Sequence, residues 1–93
     1  MFQEGGVVIK LIYCPQCQDV VRLIDDSRWC ECGESGGRYT DELNALVWGE
    51  AVPLGIHNEI FKWALSARPQ SGLGSCFDAW VIPVECPTVR SKP

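Results

Sequence analysis

The chain has 93 residues, 46% of them hydrophobic and 22% charged, with a formal net charge of −4. One domain is the expectation at this length, and the apolar share excludes a disordered chain. The apolar runs are short and broken by Lys, Arg, Gly or Pro, which excludes a transmembrane helix, and the acidic balance opposes the phosphate neutralisation that nucleic-acid binders rely on.

Residues 1–6 read as a loose end closed by Gly5-Gly6. The stretch MFQEGGVVIKLIY lacks the basic and long apolar regions of a secretory signal, so a reducing, cytoplasmic setting is expected. Val7 to Tyr13 is β-branched and aromatic and predicts a strand. Val7, Ile9, Leu11 and Tyr13 share one face; Val8, Lys10 and Ile12 share the other, half-polar one. Cys14-Pro15-Gln16-Cys17 is a tight turn. A short strand is expected over Asp19 to Ile24, a turn at Asp25-Asp26-Ser27, and a third short strand from Arg28 to Cys30.

Gly33 and Gly36-Gly37 predict a flexible or tightly turned exit, with extended chain resuming at Arg38 to Thr40. Thr40 to Asn44 offers at most one helical turn. Ala45–Trp48 and Ala51–Ile56 read as a pair of strands about Gly49-Glu50, with Pro53 favouring an edge. A helix is expected over 58–68, with Asn58 as N-cap, Glu59 at its positive end and Pro69 after it. Its apolar stripe is Ile60, Phe61, Ala64 and Leu65, expected to pack on a sheet face carrying Val47, Leu54 and Val81. Gln70 to Ser75 is a loop, Cys76 to Val84 a final strand, and residues 87–93 a flexible tail.

Chemistry concentrates in YCPQCQDVVRLIDDSRWCECG, residues 13–33, which holds Cys14, Cys17, Cys30 and Cys32. Two close pairs separated by room for two short strands can bring four thiolates to one tetrahedral ion, most often zinc. Such an ion would staple a domain that buries only about 60% of its unfolded surface. With four thiolates and a divalent ion the folded charge becomes about −6. A disulfide-linked or simply buried set of cysteines is the alternative, and rubredoxin-like iron is a weaker one. A thioredoxin-like role for Cys14-Cys17 does not fit, because strand-like residues lie on both sides. His57 is the lone histidine and reads as a packing or capping residue at the helix start. Cys76 and Cys86 read as small buried apolar residues, with a disulfide as the next possibility.

The two cysteine pairs resemble a zinc ribbon. Cys14-Pro15-Gln16-Cys17 and Cys30-Glu31-Cys32-Gly33 carry the resemblance, which covers residues 7–40. It implies one structural zinc ion bound by all four sulfurs, with three short antiparallel strands around it. Two features depart from the usual ribbon. One residue rather than two separates Cys30 from Cys32, and Gln18 stands where glycine often follows the first knuckle. Residues 41–93 resemble no family; 41–86 form the expected strand-helix-strand part.

The fold class expected is α+β and mostly β. A zinc-ribbon-like antiparallel hairpin at the N-terminus joins a C-terminal part of short strands and one amphipathic helix, in a single domain over 1–93. The function expected is a small non-enzymatic, zinc-binding protein-interaction module, such as an acidic regulator or inhibitor of a larger machine. Its partner would be another protein, with Trp48 and Trp63 as candidate contact residues. The alternative is a nucleic-acid-binding ribbon, with Trp29 stacking on bases and Arg28 on phosphate. A redox or metal-dependent enzyme ranks last, because four cysteines close the metal shell. No membrane association is expected.

Overall fold

The computed structural model describes residues 9–92, so Val7 and Val8 of the expected first strand lie outside the described residues. The elements are β1 (Ile9–Tyr13), β2 (Val20–Arg22), β3 (Arg28–Trp29), β4 (Ser35–Tyr39), β5 (Ala45–Gly49), β6 (Val52–Ile56), α1 (Asn58–Ser66), β7 (Ala79–Val81) and β8 (Val89–Ser91). The fold is α+β and mostly β. The first sheet has the order β2-β1-β6-β7 and is antiparallel throughout. The second has the order β3-β4-β5-β8, with the last pair parallel.

One core cluster joins the sheets. Ile12, Val21, Leu23 and Ile82 come from the first sheet and its extensions; Ala45, Val47 and Val89 come from the second. The chain between β2 and β3 reinforces the junction, because the Leu23 amide donates to the Lys10 carbonyl and the Tyr39 amide to the Ile24 carbonyl. The face of β1 that enters this core is the half-polar one. Ile12 is 0% exposed and Lys10 4%, whereas Ile9, Leu11 and Tyr13 are only partly covered.

Several expectations about pairing are corrected. β5 and β6 do not form a hairpin, although a turn joins them. Gly49 has φ +71, and a Cβ there would strike the Glu34 carbonyl. The turn therefore presses against the β3–β4 loop and passes the chain from the second sheet to the first. Gly36 and Gly37 are not a flexible exit but lie inside β4. They are strand residues without side chains because neighbours fill that space: the Trp48 indole over Gly36, and Leu23, Val47 and the Leu46 carbonyl against Gly37.

The helix starts one residue earlier in its capping than expected. His57 is the N-cap, its Nδ1 accepting from the Ile60 amide at 3.4 Å, and the last helical residue is Ser66. The single sheet face expected to carry Val47, Leu54 and Val81 and to receive its apolar stripe does not exist. Val47 faces the core from the second sheet, while Leu54 and Val81 pair in the first. No helix residue is buried, and Phe61 instead meets Phe77 edge-on at 4.7 Å. The expected strand at 76–84 shortens to β7. Residues 89–91, expected in a flexible tail, form β8, because Val89 fills the core beside Ala45. No helix among the described residues is long and apolar enough to cross a membrane.

Candidate metal centre

Each cysteine pair sits in a hairpin loop. Cys14 and Cys17 lie between β1 and β2, Cys30 and Cys32 between β3 and β4. In the first loop the Cys14 amide donates to the Asp19 carbonyl at 3.0 Å, and the Gln18 amide to the Cys14 carbonyl at 2.7 Å. Gln18 closes this turn at φ +64, the left-handed conformation that favours glycine. In the second loop the Cys30 amide donates to the Ser35 carbonyl at 2.9 Å, and the Gly33 amide to the Cys30 carbonyl at 3.1 Å. Gly33 takes φ +81, so the chain turns out of the knuckle immediately after Cys32. An Asp19 carboxylate oxygen accepts from the Glu31 amide at 2.9 Å and ties one loop to the other.

This arrangement brings the four expected residues together. The sulfurs of Cys14, Cys17, Cys30 and Cys32 all lie within 4.8 Å of one another. Cys14 Sγ is 3.8 Å from Cys32 Sγ, and Cys30 Sγ is 3.6 Å from Cys32 Sγ. A tetrahedron with metal–sulfur bonds of about 2.3 Å has sulfur–sulfur edges of about 3.8 Å. A disulfide needs about 2.05 Å, and the six cysteines are free thiols. The spacing therefore fits a small tetrahedral ion.

Donors around the sulfurs favour the deprotonated ligands a metal requires. The Ser35 amide donates to Cys30 Sγ at 3.3 Å. Burial pushes the Cys30 thiol up, but that amide and the Cys14, Cys32 and Cys17 thiols outweigh it and bring it down to about 6. The Ser35 hydroxyl holds the Cys14 thiol below its ordinary value against the effect of burial. That hydroxyl is buried and makes no hydrogen bond of good geometry among the described residues. It is thus a donor in reserve for a thiolate. Cys32 goes the other way: the Glu34 amide pulls it down, but burial and the three neighbouring thiols push it up to about 12. A divalent ion bound by the four sulfurs would take the place of the thiol protons.

The remaining candidates lie elsewhere. His57 caps the helix and is not in the sulfur cluster. Cys76 is exposed, contrary to its expected burial, because the chain before β7 runs over the surface. Cys86 is half-buried, its Sγ 3.5 Å from Thr88 Oγ1. Trp63 is 61% exposed on the helix. Trp48 is half-buried on the outer face of the second sheet, directly across Gly36 from Trp29. Sequence reasoning missed Asp19 and Ser35, because their roles depend on how two separate hairpins meet. Gln18 was visible as a departure from the ribbon pattern; its φ explains why glycine is usual there.

No protein-family model, curated protein or solved structure matches the chain.

Proposed function

We propose that this chain is a non-enzymatic binding module, held in shape by one structural zinc ion, that docks on another protein through the outer face of its first sheet. The observation that carries this reading is the make-up of that face. Ile9, Leu11 and Tyr13 of β1, Val52, Leu54 and Ile56 of β6, and Val81 of β7 point away from the core; Val81 is exposed and the other six are half-buried. Arg22 of β2 is the charged residue beside them. A contiguous apolar sheet face of this kind marks an interaction surface. Four thiolate ligands would fill a tetrahedral shell and leave no position for a substrate, which supports a structural role for the ion. The net charge of −4 suits an acidic regulator or inhibitor.

The test compares affinity capture from the native host by the wild type and by Val81→Glu. Val81 is 64% exposed, so the charge falls on the face without entering the core. A protein retained by the wild type and lost by the variant, at unchanged zinc content, is the expected result. Equal recovery by both would count against the reading.

A further inference from the structure

The outer face of the second sheet has a different character. Trp29, Gly36 and Trp48 stand opposite one another across β3, β4 and β5. The next positions on the same face are Arg38 and Leu46, with Arg90 beside Leu46 in β8. Lys92 follows, its amide donating to the Val47 carbonyl at 2.7 Å. None of the four strands carries Asp or Glu. In an acidic chain this face is a local basic exception, and it could not be read from cations scattered along the sequence.

The two indoles are placed, not merely present. A side chain at position 36 would run into the Trp48 indole. Its absence lets the rings approach to 5.4 Å between centroids, tilted at 56°. Trp48 Nε1 is buried with no hydrogen-bond partner among the described residues. Leaving a buried donor unsatisfied is costly, so stability alone does not select this position for the ring. Lys92 Nζ stands 5.6 Å from the Trp48 ring centroid. Trp29 is 57% exposed. Ser27, Trp29, Arg38, Leu46, Trp48 and Lys92 line a cleft of about 310 Å³, at the small end of the range for ligand sites.

We propose that this cleft binds single-stranded nucleic acid, stacking one base on Trp29 with Trp48 behind it, while Arg38 and Lys92 meet the flanking phosphates. An exposed flat ring that shares a cleft with two cations matches a base flanked by phosphates. A duplex keeps its bases stacked on each other and offers no free ring face. An acidic peptide would satisfy the cations but leave the Trp29 ring without a flat partner. The cleft contains no metal ligand, and it lies on the other sheet from the apolar face assigned to a protein partner. The two readings therefore stand or fall separately.

The test titrates the zinc-loaded chain with short oligouridylate and oligothymidylate at low salt, followed by indole quenching and anisotropy. Binding by the wild type is expected. Trp29→Ala should weaken it by about 5- to 150-fold, the value of one stacked base. Trp29→Leu, which keeps the bulk and loses the ring, should behave like Trp29→Ala. Arg38→Gln with Lys92→Gln should reduce the slope of log affinity against log salt by about 1.4. Trp63→Ala, on the helix, should match the wild type. Absence of binding at low salt overturns the proposal. So does binding that Trp29→Leu leaves intact, which would place a nucleic-acid site elsewhere. Equal affinity for the duplex, or for an oligoglutamate peptide, overturns it as well.

Discussion

The Lys10 ammonium donates to the Leu43 carbonyl at 2.8 Å, across 33 positions of sequence. Its stem crosses the core face of β1, and its nitrogen stands 5.5 Å from the Tyr39 ring centroid. The Lys10 amide donates to the Tyr39 hydroxyl at 3.0 Å. One residue therefore joins the first sheet to the end of β4 and to the turn after it.

Burial lowers the Lys10 pKa, with Cys86 and Asp41 pulling part of the way back. Between that lowered folded value and the ordinary one of 10.5, the unfolded chain binds the proton more tightly than the native chain. Stability from this group therefore rises with pH across that interval. Lys10→Met should be neutral or stabilising by about 0–2 kcal/mol near neutral pH, because it removes a buried charge. The advantage should shrink as pH approaches the ordinary lysine value. Urea unfolding of both proteins across the alkaline range checks this; a pH-independent difference would sink it.

Asp41 organises the turn that Lys10 reaches. Its carboxylate accepts from the Leu43 and Asn44 amides, both at 2.8 Å, and from the Asn44 side chain. The Asn44 side chain, then the Asn44 and Leu43 amides, hold its pKa below the ordinary value of 3.8. Its contribution is present above that ordinary value and is lost as pH falls through the folded one. Asp41→Ala should therefore be less stable than wild type near neutrality, because the turn loses its side-chain acceptor. The two proteins should converge in acid. Melting curves over that range provide the measurement, and a gap that persists below the folded pKa would refute the assignment.

The two knuckles make opposite backbone predictions. Gln18 holds a left-handed φ at a cost of about 1–2 kcal/mol for an L-residue. Gln18→Gly removes that strain but adds freedom to the unfolded chain, so a net gain of about 0.5–1 kcal/mol is expected. Gly33→Ala meets open space yet is forced to φ +81, and should lose about 1 kcal/mol. Chemical denaturation of the zinc-loaded proteins compares them. Stabilisation by Gly33→Ala would show that the second knuckle relaxes to another conformation.

Metal removal should have a large effect. Structural zinc sites carry about 10–16 kcal/mol of apparent binding free energy, against about 5–15 kcal/mol for the whole stability of a domain. Elemental analysis should find about one zinc per chain, and a strong chelator should unfold the protein. Acid should release the ion by protonating the thiolates. A metal-free preparation that folds fully, together with a fully folded Cys17→Ser variant, would overturn the structural role.

What the sequence disclosed was local, and what it hid was distant. The knuckles were legible because ligand spacing is a short-range property, and Cys14, Cys17, Cys30 and Cys32 do converge. β1 was legible from its β-branched and aromatic residues, and the helix from its caps and the spacing of its apolar residues. The partner of each strand was not. Gly49-Glu50 looks like a hairpin turn from its residues, and only contact with Glu34 shows why it leads to the other sheet. Gly36-Gly37 looks like a flexible exit until the Trp48 ring is placed over it. Lys10 marked its face of β1 as the polar one, yet the Leu43 carbonyl in the turn after β4 makes its burial tolerable. The Trp29 and Trp48 cleft was invisible for the same reason: its rings are 19 positions apart and meet through a third strand.

The thiol pairs belong to different sheets, one in the β1–β2 loop and one in the β3–β4 loop. An ion held by all four ties the sheets together, so the folded fraction obeys mass action in free metal. Above the dissociation constant, each tenfold rise in free zinc adds about 1.4 kcal/mol to stability, and each tenfold fall removes it. The amount of working module in a cell would then track zinc supply, with scarcity converting it into unfolded chain for proteases to clear.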